Sequence, residues 1–277
     1  LSDKNKDIEQ INDEIPEILS PTDDYIFKLL FGDENGVERL TSLLQSVLLK
    51  LSQDEYSEIT IVDPHLLREY KGDKLGILDV KVKTKTGKLV NVEIQVEPSP
   101  VLQERVVFYA AKMITGQMKS GNDHSVLKKV ISIIITAHNF INDSEKYHNR
   151  YTLYDLETGS EFSDILEIHS IELPKAPTAD DGTQLWWWTR FLSAKDKEEF
   201  VMLAERNPQV KNAVVRLMEL SADEQTRLLY DSRQKMEWDN QARAEEKWKD
   251  VVADKDSQLA DKDARIAELE AKLKNMS

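Results

Sequence analysis

Cysteine is missing from all 277 residues, which excludes disulfides, thiolate zinc sites and a cysteine nucleophile. Glycine and proline are scarce, at 9 and 8 residues. A low-complexity or collagen-like chain is therefore excluded, and the few that occur mark turns and helix ends. Long apolar runs are lacking too, since none reaches the roughly 20 residues that span a bilayer. The opening segment, Leu1 to Glu14, is polar and acidic, unlike a secretory leader. A cytoplasmic location with no membrane partner is expected. Positive charge is in deficit, and the net charge of −14 argues against an overall basic nucleic-acid surface. Lys81, Lys83, Lys85 and Lys88 nevertheless gather in one short segment, so any positive field must be local. No Gly-rich phosphate loop, nucleophile elbow or zinc motif is present. The histidines, His65, His124, His138, His148 and His169, show no ligand spacing.

What is present is an apolar share of 40%, enough for a core, and a charged share of 32% that concentrates toward the C-terminus. The expected organisation is a flexible arm at 1–19, an α/β domain at 20–183, a helical subdomain at 184–240 and a charged helix at 241–277. Ser20 to Asp24 reads as a helix start ahead of Ile26, Phe27, Leu29, Leu30 and Phe31. Helical spacing returns from Val37 to Leu51. A short strand at Ile59 to Val62, broken by Asp63-Pro64, precedes two longer ones at Leu75 to Lys83 and Leu89 to Glu97. A helix follows over Val101 to Lys119, then a doubly buried strand over Val130 to Ala137 and another over Ile165 to Leu173. The segment between those last two strands reads as irregular.

From Gln184 the pattern is helical only. The Trp186-Trp187-Trp188 triplet opens a run through Phe191, Leu192, Phe200, Val201 and Leu203, with two tryptophans expected in the core and one at the surface. A second helix is expected over Val210 to Leu220, and Ser221 to Glu224 caps a third. Val252, Leu259, Ile266 and Leu273 recur every seven residues, a heptad seam weakened by the polar Lys255 and Lys262. A dimerising coiled coil and a solvated helix both fit that pattern.

The stretch from Gly76 to Glu97 carries the chemistry. Side chains alternate faces along a strand, so Val80 and Val82 oppose Asp79, Lys81 and Lys83, while Val90, Val92 and Ile94 oppose Asn91, Glu93, Gln95 and Glu97. A three-residue loop of Lys85, Thr86 and Gly87, glycine taking the left-handed position, pairs Thr84 with Lys88, Val82 with Val90 and Val80 with Val92. That register sets Asp79 across from Glu93; a two-residue loop would scramble both faces. Like charges so placed repel. A divalent cation bridging the two carboxylates would offset the repulsion, as would Lys81 and Lys83.

These residues resemble the active-site pattern of the PD-(D/E)xK nuclease superfamily, and within it the branch of recombination-promoting nucleases (Rpn) and putative transposases. Asp79 followed one hairpin later by Glu93-Ile94-Gln95 carries the resemblance. Asp24-Tyr-Ile-Phe27-Lys28-x-x-Phe31-Gly32, Arg105-x-x-x-Tyr109, the Trp-rich helices and the acidic charged helix extend it over roughly residues 20–240. The resemblance implies an α/β, restriction-endonuclease-like core: a central mixed sheet flanked by helices, with a C-terminal helical region. It also implies Mg²⁺-dependent cleavage of DNA phosphodiesters, with Mn²⁺ as an alternative ion, and a link to recombination or defence against foreign DNA in bacteria. Asp79 and Glu93 would ligate the metal and Gln95 would fill the slot of the superfamily lysine. Asp24 would add an acid from the first helix, with Asp23 and Glu38 as rivals. Arg105 and Tyr109 would support the site, unless they are a structural pair packed on the sheet. Lys81 would support it electrostatically. Lys28 reads as a solvated side chain, with a phosphate contact as the alternative. DNA is the expected partner, together with a second copy of the chain through the C-terminal helix. An inactive nuclease fold serving as an oligomerising interaction module, and action on RNA, are the competing readings.

Overall fold

A six-stranded mixed sheet organises the chain, with strands in the order β1-β2-β3-β4-β6-β5. The computed structural model describes residues 17–32, 34–48, 59–62, 79–121 and 123–274. The first sixteen residues of the expected arm, the Asp63-Pro64 break, the start of the strand expected from Leu75 and the end of the helix expected to Leu51 lie outside that range. In chain order the elements are α1 (Asp24–Phe31), α2 (Val37–Val47), β1 (Ile59–Ile61), β2 (Val80–Thr84), β3 (Leu89–Gln95), α3 (Leu102–Thr115), β4 (Val130–Thr136), β5 (His148–Tyr154) and β6 (Glu161–Glu172). The helices α4 (Gln184–Ser193), α5 (Lys197–Arg206), α6 (Pro208–Ala222) and α7 (Glu224–Lys274) follow. This is the expected α/β architecture, a mixed sheet with flanking helices.

The β2–β3 hairpin has the register that its sequence dictates. Val80 faces Val92 and Val82 faces Val90, and the Thr84 N–H donates to the Lys88 carbonyl at 2.9 Å. Gly87, with φ of +90°, makes the turn, a conformation in which a Cβ would be strained. β3 and β4 then run parallel with Val90 beside Ile131 and Val92 beside Ile133. These valines and isoleucines are all at most 1% exposed.

The opposite face is covered as well. Helix α3 lays Leu102 and Val106 on Ile134, and Ala110 and Met113 on Val130. The crossover between parallel strands requires such a helix. It buries Asn91, which alternation alone assigns to a polar face, while Ser132 and Thr136 are buried as expected for a doubly covered strand. Helix α3 ends at Thr115, capped by Gly116, four residues before the expected end.

Strand β5 lies in the segment read as irregular. It is an edge strand whose side chains are all half-buried or exposed, so it lacks the apolar alternation that marks a strand from sequence. Near it sits a buried ionic cluster. Glu167 accepts from Lys129 at 2.6 Å, from Arg150 at 2.7 Å and from His169 at 2.7 Å. Burial alone would raise the Glu167 carboxyl, but His169, Arg150 and Lys129 outweigh it and hold the group well below the usual range. His148, bonded to His169 at 2.8 Å, is pushed down to about 4 by burial and by that neighbour. Breaking such a cluster strands buried charge. Glu167→Gln is therefore expected to destabilise the protein by about 3 kcal/mol, read as a lower urea midpoint; an unchanged midpoint would remove the cluster from the stability account.

The helices after the sheet pack on the helices before it: α4 contacts α2, and α6 contacts both α1 and α2. Trp188 is fully buried and meets Phe31 at 5.8 Å and Phe191 at 5.9 Å between ring centroids. Trp186 is also buried, while Trp187 is partly exposed, as the triplet required. The run expected to be continuous from Trp186 breaks at Ala194, where the backbone turns extended. One compact unit ends at Glu224 and a second covers Gln225–Ser277. Helices α4 to α6, the first part of the segment 184–240 expected as a helical subdomain, lie in the same compact unit as the sheet. No helix among the described residues is long and apolar enough to cross a membrane.

Candidate active site

Three elements bring polar groups together at the end of β3. The first is the hairpin. β2 enters the ladder at Val80, so the Ile94 N–H of β3 lies beyond the paired residues. The Asp79 carboxylate takes it, with Oδ2 accepting at 2.8 Å. Glu93 stands one residue before Ile94, next along the register from the Val80–Val92 pair. Asp79, at the bend just ahead of β2, and Glu93, in β3, thus lie next along from the Val80–Val92 pair, each with a side chain 12% exposed. Lys81 faces Asn91, two residues from Asp79.

Helix α1 is the second element. Asp23 is its N-cap, accepting from the Tyr25 and Ile26 N–H groups at 3.0 and 3.1 Å, as a cap should. That leaves Asp24 and Lys28, four apart on one face of the helix, joined at 2.7 Å. Lys28 Nζ also lies 3.3 Å from Asp79 Oδ1, and Asp24 is within hydrogen-bonding reach of the same carboxyl. The remaining rival, Glu38, instead accepts from Asn212 at 3.4 Å. Fully buried Ile26, Phe27, Leu30 and Phe31 fix the other side of α1. Arg39 ties its last turn to α2 and α6, donating to the Leu30 carbonyl at 2.8 Å and to Asn212 at 3.0 Å. At Gly32 a Cβ would come within 2.7 Å of the Lys28 carbonyl oxygen, so only glycine fits.

Helix α3 is the third. Arg105 Nη2 donates to Glu93 Oε1 at 2.9 Å and to Gln95 Oε1. The Gln95 amide then donates to the Glu97 carbonyl at 2.8 Å, so both ends of Gln95 are engaged. Tyr109, one turn on from Arg105, packs instead in the apolar layer with Ala110, Met113 and Val130.

Charge is therefore balanced differently from the sequence expectation: Lys28 covers Asp79 and Arg105 covers Glu93. Burial, reinforced by Asp24, pushes the Asp79 carboxyl up to about 7 despite the Ile94 N–H and Lys28. Burial also raises Glu93, against the pull of Arg105, Asn91 and Lys28. For Lys28, burial acts to lower the ammonium, but Asp24 and Asp79 outweigh it and hold it above the ordinary lysine value. Carboxyls raised by burial within a cluster of charged partners make Asp79 and Glu93 candidates for a functional site. Among the described residues no three acidic, histidine or cysteine side chains form a complete metal cage. Two carboxylates with water completing the shell is the arrangement Mg²⁺ ordinarily takes. Hard oxygen donors fit that ion and suit zinc poorly.

Lys28 is the residue that sequence reasoning under-weighted. Its signal was available: in the eight residues of α1 only Asp24 and Lys28 carry charge, and they are spaced to share one face.

A mixed sheet with an acid ahead of one strand and an E-x-Q on the next is the arrangement of a nuclease-like hydrolase, and a family match bears that out. Residues 21–247 match the family described as PD-(D/E)XK nuclease family transposase, and the chain belongs to that family. Comparison with curated proteins and with solved structures gives no match. The family supports a nuclease-like function and, with it, DNA binding.

Proposed function

We propose that the protein is a Mg²⁺-dependent endonuclease that hydrolyses DNA phosphodiester bonds. The observation that carries this reading is the Asp79–Glu93 pair: two raised, largely buried carboxylates, one just ahead of β2 and one in β3, each held in place by a hydrogen bond or ion pair. Asp79 and Glu93 would hold the ion, Mn²⁺ serving as an alternative, with Asp24 at its margin. When bound, the ion polarises the phosphate and lowers the pKa of a water molecule. The Ile94 N–H aims one Asp79 oxygen, and Arg105 aims Glu93. Gln95 accepts from Arg105 and steadies it beside Glu93, but adds no charge. The family's transposase description supports a role in recombination, with defence against foreign DNA as the alternative.

The test is plasmid nicking with Mg²⁺ or Mn²⁺ by the wild type and by Asp79→Ala. Cleavage only by the wild type supports the reading, and cleavage that survives the substitution removes Asp79 from it. A wild type inactive with every divalent ion favours the alternative, an oligomerising module of nuclease fold.

The chain also acts as a dimer through α7 in this reading. That helix is 51 residues long, and its seam residues Val252, Leu259 and Ile266 are 39%, 56% and 52% exposed. A heptad seam of this kind is buried by a partner helix. Truncation after Asn240 is expected to halve the mass seen by light scattering, and an unchanged mass would contradict the coiled coil.

A further inference from the structure

We propose that Lys28 is a catalytic residue, the cation that contacts the scissile phosphate, delivered from helix α1 to a site whose sheet strand carries Gln95 instead of a lysine; this rests on the nuclease reading above. Phosphoryl chemistry needs a positive group beside the reacting oxygens, and Gln95 cannot supply one. Its amide is neutral and occupied at both ends, by Arg105 and by the Glu97 carbonyl. Arg105 directs its Nη2 at Glu93 and Gln95, on the other acid of the pair. Lys28 is placed differently. Its ammonium has three donors, two of which are directed at Asp24 and Asp79, so one remains for a phosphate oxygen. Its side chain is 35% exposed, against 12% for Asp79, so it stands between the buried acid and the solvent from which a substrate arrives. Its charge acts on both acids, Asp79 and Glu93. The fully buried Phe27 and Phe31 and the Cβ-intolerant Gly32 hold its backbone, which is unusual care for a solvated lysine.

Lys28 and an ion also compete for the same carboxylate oxygens. Removing the lysine should therefore weaken the phosphate contact while leaving the acids more open to a cation, a pair of effects that a purely structural role would not produce. The experiment compares wild type, Lys28→Gln, Lys28→Arg and the double variant Lys28→Gln/Gln95→Lys. Three readouts are taken: single-turnover plasmid cleavage in Mg²⁺, Mn²⁺ affinity by electron paramagnetic resonance, and affinity for a duplex oligonucleotide in non-cleaving Ca²⁺.

Lys28→Gln is expected to cut the cleavage rate about a hundredfold and to lower oligonucleotide affinity about fivefold, with Mn²⁺ bound as tightly or more tightly. Lys28→Arg keeps part of the rate. In the double variant, the lysine returned to the strand restores at least about tenfold of what was lost. Wild-type cleavage by Lys28→Gln, or loss of Mn²⁺ binding together with cleavage, overturns the proposal. So does a double variant no better than the single one. A wild type that does not cleave at all sinks the nuclease reading, and oligonucleotide affinity then decides for Lys28: a fall in Lys28→Gln upholds the phosphate contact, and no change overturns it.

Discussion

Asp79→Asn is expected to reduce metal-dependent cleavage by about a thousandfold and, at the same time, to make the metal-free protein more stable above neutral pH. Asparagine keeps the size of the side chain and an oxygen to accept the Ile94 N–H. What it removes is the charge, and with it the ion's ligand. The stability effect follows from the raised carboxyl. The folded Asp79 is pushed up to about 7, from an ordinary 3.8. The folded state therefore holds a proton that the unfolded chain has released between those values. Its contribution is fully present below the unfolded value and is lost as pH rises through the folded one. At about pH 8 the wild type carries a buried charge beside Asp24, and the variant does not. A bound divalent cation reverses this for the wild type only: its melting temperature should rise on adding Mg²⁺, by more as pH passes upward through about 7. A variant with wild-type cleavage, or with the same Mg²⁺-induced shift, would show that Asp79 is not the ligand.

Trp188→Ala carries the largest expected cost to folding, about 4–5 kcal/mol, as for other buried tryptophans. Trp188 is fully buried and is packed between Phe31 of α1 and Phe191 of its own helix. A loss of that size in a protein of this length lowers the melting temperature by about 10–15 °C. The consequence reaches the site, because Phe31 is on the helix that supplies Asp24 and Lys28. Scanning calorimetry measures the first effect. Cleavage assayed well below the lowered transition measures the second, and it should stay reduced because α1 loses its anchor. A change of under about 1 kcal/mol would show that the surrounding side chains close the cavity.

The hairpin register was legible because two independent signals agreed: the valine alternation and Gly87 at the one position that needs positive φ. The cap at Asp23 and the helix after it were legible for a similar local reason. Charge balance at the acids was not, because it is made by elements far away in sequence. Alternation nominated Lys81 and Lys83, neighbours on the strand, while the cations that meet the carboxylates are Lys28 and Arg105. Strand β5 was hidden by its position at the sheet edge, where polar His148, Asn149 and Arg150 are tolerated. The polar face of β3 reads as open from sequence, because nothing local reveals that α3 will cover it. Tyr109 illustrates the same limit: spacing put it on the face of Arg105, and packing drew it toward Val130.

The most direct test of the shared-ion pair is a crystal structure soaked in Mn²⁺, with anomalous scattering to locate the ion. The account predicts a peak between Asp79 and Glu93, about 2.1 Å from an oxygen of each, with Lys28 moved off the Asp79 oxygen it now holds and Arg105 still on Glu93. A site empty at saturating Mn²⁺, its carboxylates still bound to those two cations, would contradict it.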